Sequence, residues 1–219
     1  MKKEMTEIVF ILDKSGSMAG LEKDTIGGYN SMLKKQQSGE GEAIITTVLF
    51  NHQSELLHDR INVKGISPIT DEDYEVGGST ALLDAIGFSI QKIANVQKKT
   101  KEDERASKVL FVITTDGMEN ASREFTYEKI KQLIQQQKEK YGWEFMFLGA
   151  NIDAISTAAH FGIDADFAVD YHADNEGTQL NYEVLNEAVM NFRKEKKLDR
   201  SWKQGIEQDY RHRNKNQRR

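Results

Sequence analysis

Asp13, Ser15 and Ser17 occupy alternate positions in Asp13-Lys14-Ser15-Gly16-Ser17-Met18, directly after an apolar run. One turn therefore offers a carboxylate and two hydroxyls, and Gly16 lets the backbone bend tightly between them. Oxygen donors of this kind suit Mg²⁺, which prefers octahedral oxygen coordination at about 2.0–2.1 Å and keeps several waters. Mn²⁺ and Ca²⁺ are the alternatives. Taken alone, such a turn could equally be ordinary capping chemistry, because Ser and Asp are common turn residues. Two more segments add to it. Gly77-Gly78-Ser79-Thr80 places a hydroxyl at a glycine-rich helix entry, and Thr115-Asp116-Gly117 places a second carboxylate just past another apolar run. The expected metal ligands are Asp13, Ser15, Ser17, Thr80 and Asp116. Glu119, Asn120 and Asn151 follow strand ends that would flank this site, where they could hold waters or tune the choice of partner; ordinary loop polarity is the other reading.

Short, nearly unbroken apolar runs at Ile8–Leu12, Ala43–Phe50, Val109–Thr114, Phe145–Leu148 and Phe167–Val169 must position these groups. Runs without in/out alternation read as strands covered on both faces. Glu55–Val63 is more mixed and follows a four-residue loop, as an antiparallel edge strand reached by a hairpin would. Between the runs, apolar residues recur three or four apart: Ile26, Tyr29 and Leu33; Leu83, Ile86, Ile90 and Ile93; Ile130, Leu133 and Ile134; and Leu180 through Phe192. These stripes predict amphipathic helices. Thr126 and Asp153 are expected N-caps, and Gly162 an expected helix stop. The order strand, helix, strand, strand, helix, then alternating strands and helices, predicts a doubly wound α/β domain. In such sheets ligands bind beyond the carboxyl ends of the strands, where Asp13 and Asp116 fall.

At this level the residues resemble the von Willebrand factor type A (VWA) domain, whose metal-ion-dependent adhesion site (MIDAS) uses Asp-x-Ser-x-Ser, a distant Thr and a distant Asp. Asp13, Ser15, Ser17, Thr80 and Asp116 match all five positions in order, and the resemblance covers roughly residues 5–195. Asp-Lys-Ser-Gly-Ser-Met looks especially like the stand-alone intracellular prokaryotic members. The resemblance implies a Rossmann-like, mostly parallel six-stranded sheet ordered 3-2-1-4-5-6, with strand 3 antiparallel. It also implies metal-dependent binding of a partner's Asp or Glu side chain. Intracellular relatives often act as adaptors, including partners of AAA-type ATPases.

The physics of the site agrees. If both carboxylates bound a divalent ion directly they would cancel its charge; if one or both act through water, the ion stays electrophilic and a carboxylate from another protein can replace a water. Asp13→Ala is then expected to abolish metal-dependent capture while leaving the fold intact. A metal-dependent phosphatase or phosphotransferase of haloacid-dehalogenase type also carries an Asp after its first strand. That chemistry wants a second Asp two residues later to protonate the leaving group, and here that position is Ser15. The expectation is therefore a protein that is not an enzyme. No Gly-x-x-x-x-Gly-Lys-Ser/Thr motif occurs, so nucleotide hydrolysis by a P-loop is unsupported.

Composition fits one soluble domain of 219 residues with a short extension: residues 1–195 as the domain and 196–219 as a basic C-terminal helix or tail. Without cysteine there is neither a disulfide framework nor a thiolate zinc site. The first apolar run is far shorter than a signal peptide or membrane span, so a cytoplasmic protein is expected. Net charge is -5, but residues 193–219 carry eleven Lys and Arg against four Asp and Glu. In that segment Leu198, Trp202, Ile206 and Tyr210 recur at four-residue spacing among Lys196, Lys197, Arg200, Lys203, Arg211, Arg213, Lys215, Arg218 and Arg219. An apolar stripe on a basic helix can dock on its own domain, bind another protein, contact nucleic-acid phosphates or lie on an anionic membrane.

Overall fold

The computed structural model describes residues 4–195 and 197–217. Lys196, Arg218 and Arg219 of the basic segment lie outside the described residues. Six strands, β1 (Met5–Asp13), β2 (Glu42–Phe50), β3 (Ser54–Asn62), β4 (Lys108–Thr115), β5 (Glu144–Ala150) and β6 (Ala168–Tyr171), form one sheet ordered β3-β2-β1-β4-β5-β6. All neighbours are parallel except β2 and β3, which form the expected antiparallel hairpin. The helices are α1 (Glu22–Ser38), α2 (Leu82–Lys99), α3 (Tyr127–Tyr141), α4 (Ala154–Phe161), α5 (Asn175–Lys194) and α6 (Gln204–Gln217).

The two faces of the sheet explain the unbroken runs. Within β1, Ile8, Phe10 and Leu12 pack with Tyr29 and Leu33 of α1 and Leu185 and Phe192 of α5. Val9 and Ile11 pack on the other side with Ile86 and Ile90 of α2, Ile130 and Ile134 of α3, and Phe161 of α4. Alternation persists, but both sets are apolar because both faces are buried. Local chemistry starts and stops the helices as expected. Thr126 accepts from the Lys129 N–H at 3.3 Å and Asp153 from the Ser156 N–H at 2.8 Å, while Gly162 closes α4 with a φ of 80°. Phe167 belongs to a short 3-10 turn, Ala165–Phe167, so the last strand begins one residue later than its apolar run.

The basic segment folds back on the domain. Helix α6 starts only at Gln204; Leu198 and Trp202 lie in turns before it, where the Asp199 carboxylate accepts from the Ser201 N–H at 3.0 Å and hydroxyl at 2.7 Å. Leu198 and Ile206 are buried in the core on the α1/α5 face. The Trp202 indole donates to the Asp166 carbonyl at 3.1 Å, and Lys203 Nζ donates to the carbonyls of Ala165 at 2.5 Å and Ala168 at 2.8 Å. Arg213 pairs with Asp174, the N-cap of α5, at 2.5 Å. Among the described residues no helix is long and apolar enough to cross a membrane.

Candidate metal centre

Parallel pairing of β1 with β4 sets Leu12 beside Thr114, so both strands end at the same level and present Asp13 and Asp116 at one edge. Asp13 is 1% exposed and Asp116 2%. The chain after β1 turns at once: Asp13 Oδ1 accepts from the Ser15 N–H at 2.7 Å, and the Ser15 and Ser17 hydroxyls lie 3.1 Å apart. Asp13 Oδ2 accepts from the Thr115 hydroxyl at 2.7 Å and the Asp116 N–H at 3.2 Å. The Tyr74 hydroxyl donates to the Asp13 carbonyl.

Thr80 reaches this edge through main-chain bonds. The Gly16 N–H donates to the Gly78 carbonyl at 3.0 Å, the Gly77 N–H to the Lys14 carbonyl at 2.9 Å, and the Ala81 N–H to the Asn51 carbonyl at 2.7 Å. Gly78 has φ +78°, and a Cβ there would lie 2.4 Å from His52 Nδ1, so this position requires glycine twice over. From the other side, the Asn120 N–H donates to the Thr80 carbonyl at 3.0 Å and Asn120 Oδ1 accepts from the Thr80 N–H at 2.9 Å. The convergence of the hydroxyls can be read at Gly117: a Cβ there would sit 3.2 Å from Ser17 Oγ and 3.5 Å from Thr80 Oγ1. Ser15 and Thr80 are buried while Ser17 is exposed, so the cluster opens to solvent on the Ser17 side.

The three flanking residues divide. Asn120 holds Thr80, and Asn151, at φ 54°, donates from Nδ2 to Asp116 Oδ1. Left-handed backbone is tolerated by Asn better than by most residues. Glu119 is turned to other work. Its Oε2 accepts from the Leu83 N–H at 2.9 Å and the Ser122 hydroxyl at 2.7 Å, and its Oε1 from the N–H groups of Ala121 at 2.9 Å and Ser122 at 2.7 Å. It thereby closes the first turn of α2, whose N-cap position, Ala81, has no side-chain acceptor. Asp84 acts likewise, accepting from the N–H groups of Arg123, Glu124 and Phe125 at 2.9–3.0 Å. Thr115, Tyr74 and Asp84 carry no signal in the sequence that would have placed them here, except that Thr115 adjoins Asp116.

Does this donor set fit a divalent cation? Burial pushes the Asp116 carboxyl up to about 6, the Asn151 hydrogen bond opposes that, and the nearby Asp13 charge adds to it. Among the described residues no Lys or Arg pairs with either carboxylate; Lys14, the nearest in sequence, is drawn away to Glu55 at 2.6 Å. Two buried like charges without a counter-ion are costly. A divalent ion among two carboxylates and three hydroxyls relieves that cost with hard oxygen donors only, so the residues fit. Among the described residues no group of three or more His, Cys, Asp or Glu could hold a metal, in keeping with a site whose majority donors are hydroxyls.

No protein-family model and no curated protein sequence matches the chain. Solved structures do. Proximal thread matrix protein 1 from the mussel byssus is similar with TM-score 0.58 and 13% identity, over 85% of this chain and 46% of that one. The ArnB paralog VWA2 from Sulfolobus acidocaldarius is similar with TM-score 0.51 and 20% identity, over 86% of this chain and 45% of that one. A von Willebrand factor type A protein from Catenulispora acidiphila is similar with TM-score 0.56 and 12% identity, over 85% of this chain and 43% of that one. The chain thus spans less than half the length of each. One structure of the mussel protein has its MIDAS motif occupied by zinc. Sheet order, the single antiparallel strand and these likenesses together give the conclusion that the chain has the fold of von Willebrand factor type A domains.

Proposed function

We propose that the protein is a non-catalytic interaction module that captures a partner's Asp or Glu side chain through a divalent metal, with Mg²⁺ the ion used. The observation that carries this reading is the meeting of Asp13, Ser15, Ser17, Thr80 and Asp116 at one edge of the sheet, with both oxygens of the Asp13 carboxylate and Oδ1 of Asp116 already engaged by protein donors. Carboxylates held in this way are weakened as direct ligands and suited to reach an ion through water. The hydroxyls of Ser15, Ser17 and Thr80 would hold the ion itself. A metal held mainly by neutral oxygens keeps a strong attraction for one more anion, and the open Ser17 side gives a partner's carboxylate access. Mg²⁺ rather than zinc follows from the donors, since hydroxyl, carboxylate and water oxygens suit hard ions.

The chemistry does not favour hydrolysis: Ser15 stands where a leaving-group acid would be needed, and it is buried beside Ser17. We place the module inside the cell, as an adaptor that an AAA-type ATPase could engage. The test is capture of proteins from native lysate by immobilised protein in Mg²⁺ and in EDTA, with Thr80→Val as control. Partners retained only in Mg²⁺, and lost with Thr80→Val, support the reading. An identical set of bound proteins in all three conditions refutes it.

A further inference from the structure

A line of three buried polar groups crosses the α1/α5 face of the sheet, beside the stretch of chain that leads to Thr80. The Tyr29 hydroxyl of α1 lies 2.6 Å from the Thr47 hydroxyl of β2, and Nδ1 of His58 on β3 lies 2.9 Å from the same Thr47 oxygen. Tyr29 and Thr47 are 0% exposed and His58 8%. The His58 ring also bonds the backbone of Ser67, in the segment that follows β3. That segment, residues 63–80, is laid on α1 by Asn30, which exchanges two bonds with the Ile69 backbone at 2.8 and 2.9 Å. It goes on to Tyr74, bonded to the Asp13 carbonyl, and ends at Thr80.

These groups carry protons for one direction only. Burial keeps the Tyr29 phenol protonated, and Thr47 takes that hydrogen bond. Thr47 in turn donates to His58, so Nδ1 is the acceptor of the neutral ring. Protonating the ring puts a hydrogen on Nδ1. Thr47 must then accept from both neighbours, while its own proton, shut away from bulk solvent, loses its acceptor, a costly state for a buried donor. Burial accordingly pushes His58 below the ordinary histidine range, against weaker opposing pulls from Asp73 and the Ser67 backbone. The titratable groups facing the ring are Tyr29 of α1 and Asp73 of the segment. Its neighbours on β3 are engaged across the other face of the sheet, Asp59 with Lys92 of α2 at 2.8 Å and Arg60 with Glu7 of β1 at 2.7 Å.

We propose that His58 is a pH-sensitive latch for the 63–80 segment: the neutral ring ties the segment to β2 and β3, and protonation loosens it. A ring that is harder to protonate in the closed fold than in the open one contributes stability that is present above about pH 6.5 and lost as pH falls toward its folded value. With the latch open, Tyr74 and Thr80 are held less firmly at the edge that carries Asp13. The device needs no metal and stands whether or not that edge binds one. It also runs against Asp116, whose buried carboxyl stabilises the metal-free fold as pH falls.

The test uses the full chain in EDTA, between about pH 7.5 and pH 5.5, where histidine titrates. Nuclear magnetic resonance of the His58 ring C–H gives its pKa directly. Amide hydrogen exchange over residues 66–74, corrected for the intrinsic pH dependence of exchange, reads the opening of the segment. The expected result is a His58 pKa below about 6.5 and a loss of protection of about threefold or more on acidification, by the factor that the measured pKa fixes. His58→Asn, which keeps an acceptor near the position of Nδ1 and does not titrate, should abolish that loss. Asp73→Asn keeps an acceptor for the Thr70 N–H and removes the charge, so the His58 pKa and the midpoint of loosening should move to lower pH together. A His58 pKa at or above about 6.5, the same loss of protection in the wild type and His58→Asn, or a midpoint of loosening that does not follow the His58 pKa in Asp73→Asn overturns the proposal.

Discussion

Thr80→Val and Asp13→Ala should both remove the metal and yet differ sharply in their effect on the metal-free fold. Thr80 is 4% exposed, and the hydrogen bonds that hold it run through its backbone N–H and carbonyl. Valine keeps the shape and leaves those backbone bonds in place, so the midpoint of thermal unfolding in EDTA should change little, by no more than about 1 kcal/mol in stability. Asp13 is different. Its carboxylate accepts three hydrogen bonds, from the Ser15 N–H at 2.7 Å, the Thr115 hydroxyl at 2.7 Å and the Asp116 N–H at 3.2 Å. Bonds to a charged group contribute about 1.5–3 kcal/mol each, and relief of repulsion with Asp116 offsets part of the loss, leaving a net cost of roughly 4 kcal/mol. For a domain of this size that lowers the midpoint by roughly 8–16 °C. The expectation that Asp13→Ala leaves the fold untouched therefore has to be revised, and Thr80→Val is the cleaner probe. At Mg²⁺ near 100 times Kd, the wild-type protein should gain about 2.7 kcal/mol, or roughly 5–11 °C. Calorimetry or circular dichroism in EDTA and in Mg²⁺ reads both quantities. A full Mg²⁺-induced rise in Thr80→Val would show that Thr80 holds no ion and that the hydroxyl-centred site is wrong.

Gly117→Ala should weaken Mg²⁺ binding at least about tenfold while the EDTA midpoint stays within a few degrees, because the added Cβ enters the space 3.2 Å from Ser17 Oγ and 3.5 Å from Thr80 Oγ1. Titration calorimetry decides it, and undiminished affinity would contradict the geometry. The raised Asp116 pKa, about 6, means the metal-free folded state holds this proton more tightly than the unfolded chain, whose Asp titrates near about 3.9. That contribution to stability is present below about 3.9 and lost as pH rises through about 6. The Mg²⁺-induced rise in midpoint should therefore shrink from pH 7.5 to pH 5, and a constant rise would exclude Asp116 as the titrating ligand. Ending the chain after Glu195 should lower stability by several kcal/mol, about 2 for each of the buried Leu198 and Ile206 side chains. The same shortened chain tests the phosphate-binding reading of the basic segment: salt-sensitive retention on DNA or RNA by the full chain, absent from the shortened one, would support it.

The strands were legible because each buried run is apolar on both sides, and the hairpin because Glu55–Val63 is not; the order of the strands in the sheet came from the family resemblance. The five residues proposed to hold the ion stand out in the sequence as a linear pattern of types and spacing, and the fold brings them to one edge of the sheet. What escaped the sequence depends on contacts between distant segments. Glu119 looked like a site residue by position, but four nearer donors claim its oxygens. Thr115, Tyr74 and Asp84 gain their roles only once β1, α2 and β4 are side by side. The tail shows the same limit: its four-residue period fits a helix throughout, yet the Asp199–Ser201 turn breaks it, and tertiary burial rather than helical pairing keeps Leu198 in place.

The loops at the metal edge are joined chiefly through the backbone: Gly16 to Gly78, Gly77 to Lys14, Ala81 to Asn51, Asn120 to Thr80. Bonds between amide and carbonyl make no demand on side-chain identity beyond the glycine at 78. Most of these loops can therefore drift in composition over long divergence without loosening the cradle, provided a handful of oxygen-bearing residues stay at their stations. That concentrates the sequence demands of the proposed site in a few positions, in a chain only 12–20% identical to the proteins whose fold it shares.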